Sequence, residues 1–291
     1  MYFKWYCPDG TMITFVEPTY LLTSAWNLGV VDVEHRSTGA PYQAGETLID
    51  SKLLPREMSL EFLLQTNDRT ELFALQKTLI GKFNPALGQG ILSRVEDNGA
   101  EFFIRCIGNG TPEFSSGKDR SEVWQKVTLR LKAFSPYWFG VENIVYLRPN
   151  VGTFFTFGFP FTLGQYSTYI DITNNGTIES PVTIRIIGDV TNPVITRQYT
   201  DPLLGSITES IPMTITMASD EIFKITTEFG NKTAIYYKTG GATELNAFKY
   251  LNSNSVLWAV KPGANRLSMS NSSIGANTYF EIKWRDYYLG V

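Results

Sequence analysis

The side chains that most often carry chemistry are scarce in this sequence. His35 is the single histidine, set in Asp32-Val33-Glu34-His35-Arg36 with no nucleophile motif around it. Any histidine-dependent dyad or triad would have to use it, and its charged setting suits a surface or interface residue instead. Cys7 and Cys106 are the two cysteines, far apart and without a C-x-x-C spacing. One histidine and two cysteines fall short of a Cys/His zinc site. Lone thiols usually serve as small buried hydrophobes, and nothing in the spacing supports a bridge, so a reducing compartment is expected during maturation. A glycosidase needs only two carboxylates. Glu57 with Glu61, or Asp220 with Glu221, would supply them, but among 28 acidic residues such pairs carry no specificity. G-x-S-x-G, H-E-x-x-H and P-loop motifs are absent. The expectation is a protein that is not an enzyme and uses no cofactor or metal.

The richer signal is aromatic. Aromatic residues make up 14% of the 291 residues and hydrophobic ones 43%, while charged residues reach only 18%. That charged fraction lies below the roughly 25% of ordinary soluble chains, so much of the surface must be neutral or covered by partners. Trp258, in Val256-Leu257-Trp258-Ala259-Val260, and Trp284, closing the alternation of Phe280 and Ile282, read as core or interface residues. A net charge of -3 argues against a nucleic-acid binder. No stretch approaches the ~20 continuous apolar residues of a membrane span, so no membrane association is expected. Met1-Tyr2-Phe3-Lys4-Trp5-Tyr6 is not a basic region followed by an apolar one, so no secretory signal is expected there. The sequons at Asn109, Asn175, Asn231 and Asn271 fit chance in a chain rich in Asn, Ser and Thr.

The elements that position these residues are mostly strands. Short runs of Thr, Ile, Val, Tyr and Phe are broken by Gly, Asn, Pro and Asp. Met12 to Val16, Leu60 to Leu64, Phe102 to Ile107 and Val123 to Leu131 are the clearest early ones. In the last, Val127, Leu129, Leu131 and Ala133 share one face and Lys126, Thr128, Arg130 and Lys132 the other. One segment, 68–81, predicts a helix. Asp68 caps it with Glu71 in capping-box position, and Leu72, Leu75, Leu79 and Ile80 form its stripe. Gly81 fits the C-cap, with Pro85 beyond. The long loop between Ile107 and Glu122 reads either as a hairpin tip or as an arm that orders against a neighbouring subunit. Its Glu113, Phe114, Lys118, Asp119 and Arg120 are the candidate interface residues.

Length alone suggests about two domains. Ser135-Pro136-Tyr137-Trp138-Phe139-Gly140 reads as an aromatic turn at a boundary, which divides the chain into a domain over 1–142, a Gly/Phe-rich packed linker over 143–165 and an all-β domain over 166–291. In the last, strands are expected at Tyr169 to Thr173, Val182 to Ile187, Met213 to Met217, Ile222 to Thr227, Thr233 to Tyr237, Ser255 to Val260, Arg266 to Ser270 and Thr278 to Trp284. Asn174-Asn175-Gly176 and Pro262-Gly263-Ala264-Asn265 are among the turns that separate them. Such punctuation indicates an antiparallel sandwich or jelly roll.

Several of these stretches, in this order, resemble the distal tail proteins of long-tailed, non-contractile bacteriophages and prophages. They are Leu79-Ile80-Gly81-Lys82-Phe83-Asn84-Pro85, the junction Phe134-Ser135-Pro136-Tyr137-Trp138, Asn174-Asn175-Gly176-Thr177, Ser180-Pro181-Val182-Thr183-Ile184, Asn192-Pro193-Val194-Ile195, Trp258 to Leu267, and Glu281 to Gly290. The resemblance implies a mainly β protein: a tail-tube-like N-terminal β-domain (a split barrel or two sheets) with one helix, then a galectin-like sandwich. It implies a virion protein of the tail tip, made in the bacterial cytoplasm. Its partners would be copies of itself in a ring of six, the tail tube protein, a tail-associated hub or fibre protein, and a receptor-binding protein. DNA would pass through the ring without specific binding. Direct attachment of a receptor-binding protein is less well matched, because Lys238 to Tyr250 is the only mid-sized candidate for a holding arm. The alternative left open is a sandwich that grips a host cell-wall polysaccharide.

Overall fold

The computed structural model describes residues 1–29, 31–148, 169–238 and 243–291. They are mainly β with one α-helix, and no sheet among them closes into a barrel. The chain separates into two compact units: Met1–Gly140 with Tyr288–Val291, and Val141–Tyr287.

The strands that begin in the first unit are β1 (Tyr2–Tyr6), β2 (Met12–Phe15), β3 (Tyr20–Trp26), β4 (Val33–Thr38), β5 (Thr47–Leu53), β6 (Arg56–Gln65), β7 (Gly90–Val95), β8 (Glu101–Gly108), β9 (Glu113–Phe114), β10 (Trp124–Ala133) and β11 (Trp138–Leu147). The helix α1 (Arg69–Lys82) lies between β6 and β7. One antiparallel layer runs β2-β1-β7-β8, and the other places β6 between β3 and β10, with β9 on the far side of β10. The alternation read in β10 is realised: Val127, Leu129, Leu131 and Ala133 are all buried. They share a core with Phe3, Trp5, Phe62 and Leu92.

Helix α1 is anchored at both ends. The Asp68 carboxylate accepts from the Glu71 amide at 2.8 Å, as a capping residue should. Glu71 reaches back as expected, but to the amide of Asn67 at 3.0 Å, one residue before the cap. The other end differs from the sequence expectation. Gly81 lies inside the helix and Phe83 is the C-cap, because the Phe83 ring stacks on Trp5 at 4.8 Å while the Trp5 indole donates to the Lys82 carbonyl at 3.1 Å. That aromatic anchor holds the last turn, so no glycine is needed there. The stripe is also narrower: Leu72 and Leu79 are buried, Leu75 is half-buried and Ile80 is exposed. Gly90 faces the same tryptophan, and a Cβ there would sit 2.6 Å from the indole ring.

The second unit contains the end of β11 and the strands β12 (Tyr169–Asn174), β13 (Val182–Ile187), β14 (Val190–Thr191), β15 (Val194–Asp201), β16 (Gly205–Pro212), β17 (Thr216–Met217), β18 (Ile222–Thr226), β19 (Thr233–Lys238), β20 (Thr243–Asn246), β21 (Gly263–Ser270), β22 (Ser273–Ile274) and β23 (Tyr279–Tyr288). One antiparallel layer runs β23-β13-β18-β19-β20 and a second runs β12-β21-β15-β16. Between them lies a core that includes Ile184, Phe223, Ile225, Phe280 and Ile282 from the first layer and Ile172, Ile195, Ile211 and Leu267 from the second. This is an antiparallel sandwich, with Trp258 and Trp284 buried in it.

Several expected boundaries move. Trp138 opens β11 instead of sitting in a turn, because its fully buried indole donates to the Leu28 carbonyl at 2.9 Å. The stretch 143–165 read as a linker therefore starts inside β11, and 149–165 lies outside the described residues. Ser255 to Val260 is no strand. Val256 donates to Ser210, and Val260 and Ser180 exchange hydrogen bonds as an isolated bridge, so its bonds are scattered over different partners. The same reason shortens Met213 to Met217 to Thr216–Met217: Met213 donates to Pro193 and Thr214 to Tyr250. The turn expected at Pro262 to Asn265 is shorter, since β21 already begins at Gly263.

Candidate functional site

The five residues singled out in the 107–122 loop divide into two groups. Glu113 and Phe114 form β9 and pair with Thr128 and Val127 of β10. Glu113 also pairs with Arg130 at 2.8 Å, and Phe114 packs against the core of its unit. The chain is stitched further along, with Ser115 donating to the Lys126 carbonyl at 3.0 Å and Gln125 to the Ser115 carbonyl at 2.6 Å. Lys118 and Asp119 lie beyond this seam, exposed on a single 3-10 turn over Gly117–Asp119, and Arg120, also exposed, returns to it through an isolated antiparallel bridge with Gln125. Gly117 sits at φ +71, a left-handed conformation that glycine adopts without strain. The structure thus ties Glu113, Phe114 and Arg120 to β10 and leaves Lys118 and Asp119 at an outward tip.

The residues with catalytic potential are used structurally. His35 is exposed on β4, with Nδ1 2.8 Å from the Ser51 hydroxyl. Glu57 and Glu61 pair with Lys132 at 2.8 Å and Lys126 at 2.9 Å. Glu221 accepts from the Ala218 amide at 2.7 Å and from the Tyr236 hydroxyl. Burial, reinforced by that carboxylate, pushes the Tyr236 phenol well above its ordinary range. Among the described residues no three of His, Cys, Asp or Glu come together as metal ligands, and no helix is long and apolar enough to cross a membrane.

A surface that sequence reading missed stands out more. Among the described residues, strands β4 and β5 pair only with each other, as a two-stranded sheet. Every residue in them is exposed except Leu53, which is half-buried. An isolated hairpin is marginal in water, and more strands or a packing partner are needed for independent stability. This one is nonetheless fully paired from Val33↔Leu53 to Thr38↔Thr47, with Ile49 as an extra residue in a bulge. Its register sets Glu34 opposite Lys52 and Arg36 opposite Asp50. Its connecting loop is cross-stitched by Ala40 to Gln43 at 3.0 Å and Gln43 to Thr47 at 2.9 Å. It carries Leu48 at 61% exposure and Ile49 at 65%. The signal available was the Gly39-Ala40-Pro41 turn, but the strands have no apolar face to reveal them.

In the second unit, the candidate arm region behaves differently. Its residues 239–242 lie outside the described residues, while β20 folds back along β19 and Tyr250 packs against the core.

No family model matches the chain, and no curated protein matches it. Solved structures do. The SPP1 Dit (gp 19.1) protein, described as a paradigm of the hub adsorption apparatus in Gram-positive infecting phages, aligns over 98% of this chain and 98% of its own, with a TM-score of 0.65 at 12% identity. A chain of the phage P2 baseplate in its activated conformation with Ca aligns over 97% of both chains, with a TM-score of 0.51 at 12% identity. The corresponding Sr structure gives 0.50, again over 97% of both chains and at 12% identity. From end to end, this chain has the fold of phage tail hub and baseplate proteins.

Proposed function

We propose that this protein is a structural hub of a long, non-contractile phage tail tip. It forms a ring that connects the tail tube to the host-recognition apparatus and leaves a passage for DNA. The observation that carries this reading is the correspondence of fold over 98% of both chains with a hub protein, across two units of different architecture. The first unit supplies the ring, and the second, a galectin-like sandwich, faces the adhesion components. A closed ring needs head-to-tail contacts on two different surfaces of each subunit. The β4–β5 hairpin is one such surface and the Lys118-Asp119 tip is the second. The partners are then a tail tube protein, a tail-associated hub or fibre protein and a receptor-binding protein, in a virion assembled in the bacterial cytoplasm. A net charge of -3 keeps passing DNA from sticking. The protein performs no catalysis.

Native mass spectrometry and negative-stain micrographs of the purified full chain test this. The expected result is a closed ring of six 32.8 kDa chains with a central opening. A monomer at every concentration, with no rings in the micrographs, overturns it.

A further inference from the structure

The outer face of the sheet β23-β13-β18-β19 bears an open cleft of about 570 Å³. That size falls in the range of sites that hold small molecules. Its floor is built by strand alternation. Arg185 on β13, Lys224 on β18 and Lys283 on β23 point away from the core, while their neighbours Ile184, Ile186, Phe223, Ile225, Ile282 and Trp284 point into it.

The charges in this cleft do not balance. Arg185 donates from Nη1 to Oε1 of Glu281 at 3.1 Å, and Lys283 approaches the same oxygen at 3.3 Å. The Glu281 side chain is only 9% exposed. Burial alone would raise its carboxyl, yet the bonds from Lys283 and Arg185 hold it below the usual range. Glu142, at the rim, is engaged by Arg285 at 3.7 Å. The Lys224 side chain has neither an ion pair nor a hydrogen bond among the described residues, and the residue is half-buried. The register places it directly across from Arg185. Like charges directly opposite on one face of a sheet repel, a cost that a structural arrangement would relieve with a carboxylate. Here that position is open to solvent. Beside the two cations, the next register pair is Ile222 with Tyr237, an apolar and aromatic platform. A cation pair next to an aromatic shelf suits a ligand with an oxyanion on a carbon skeleton that offers C–H groups.

We propose that this cleft binds an acidic glycan repeat, a sugar or polyol unit bearing phosphate. The oxyanion bridges Arg185 and Lys224, and the carbon skeleton lies against Tyr237 and Ile222. The assignment stands apart from the hub reading, since it uses one unit of one chain and no ring.

Titration calorimetry on the full chain at low salt tests it, with poly(glycerol phosphate), inorganic phosphate, neutral dextran and duplex DNA as probes. Saturable binding of poly(glycerol phosphate) is expected, with none of dextran. Lys224→Met weakens the polymer about tenfold, the scale of one hydrogen bond to a charged group, and Lys224→Arg restores it. Tyr237→Ala weakens the polymer but leaves inorganic phosphate unchanged. Lys77→Met, on α1 of the other unit, changes nothing. In the wild-type chain, polymer-induced protection from hydrogen exchange falls on β13, β18 and β19, a readout independent of any variant. No polymer binding overturns the proposal, as does equal weakening by Lys77→Met. So does binding of duplex DNA or of inorganic phosphate alone as tightly as the polymer, or protection confined to other strands.

Discussion

If the β4–β5 hairpin joins one subunit to the next, replacing Leu48 and Ile49 by glutamate should abolish assembly while leaving the subunit folded. The magnitude follows from exposure. Fully burying an aliphatic side chain of this size is worth about 1.5–3 kcal/mol. Leu48 is 61% exposed and Ile49 65%, so covering both at an interface recovers about 2–4 kcal/mol. Losing that weakens each contact by about 30-fold to 1,000-fold, and burying two new carboxylates weakens it further. The subunit itself should keep its stability within about 0.5 kcal/mol, because neither side chain belongs to a core. Sedimentation velocity across a concentration series measures the first quantity and thermal unfolding of the dilute subunit the second. A double variant that assembles at the wild-type midpoint would refute the argument that this hairpin is a contact. A subunit that loses several kcal/mol would show instead that the hairpin is held by its own chain.

Other consequences are smaller and as easily checked. Asp68→Ala removes the cap of α1 and should lower stability by about 1 kcal/mol, read as a lower urea midpoint with unchanged slope. Gly90→Ala forces a Cβ against the Trp5 ring and the Tyr6 carbonyl at 2.6 Å, so a loss of about 1–3 kcal/mol is expected in the same assay. Burial pushes the Cys106 thiol up to about 12, so it should resist alkylation at mildly alkaline pH in the folded protein and react once urea unfolds the chain. Bonds from Lys82 and Thr11 hold the Asp9 carboxyl well below its ordinary range; Glu101 is opposed by burial but held low by Ser93 and Lys4. Groups depressed on folding stabilise above their unfolded pKa and cease to do so as pH falls through the folded one. Tm should therefore decline below roughly pH 4, and a Tm that rises on acidification there would contradict the pairing.

Where burial on one face dictated the pattern, the sequence was readable. β10 alternates because every second side chain enters a core, and α1 was legible from Asp68 and Glu71. The fold class followed from such segments together. Positions decided by distant partners were not legible. Gly81 looked like a helix end until the stack of Phe83 on Trp5, far apart in sequence, carried the helix further. Ser255 to Val260 looked like a strand because it is apolar, but its amides find separate acceptors. The hairpin escaped notice for the opposite reason: with both faces exposed, nothing in its composition marks an inside. In the 107–122 loop, sequence reading singled out five residues but did not foresee that Glu113 and Phe114 would be held by β10.

The first unit is not contiguous in the chain. Its closing residues, Tyr288–Val291, come after the whole second unit. They are firmly held: Arg56, buried in the first unit, donates to the Leu289 carbonyl, Arg94 donates to the Val291 carbonyl, and Tyr288 meets Phe102 edge-on at 5.1 Å. During synthesis, the buried Arg56 guanidinium must wait for one of its acceptors until the ribosome has made over two hundred further residues, the sequence separation being 233. Chains cut short within the second unit would leave that cation with an unmet bond in a dry site, a costly defect. Closure of the first unit therefore waits on residues made only after the second, and a chain interrupted between them would keep the first unit loose and open to proteolysis.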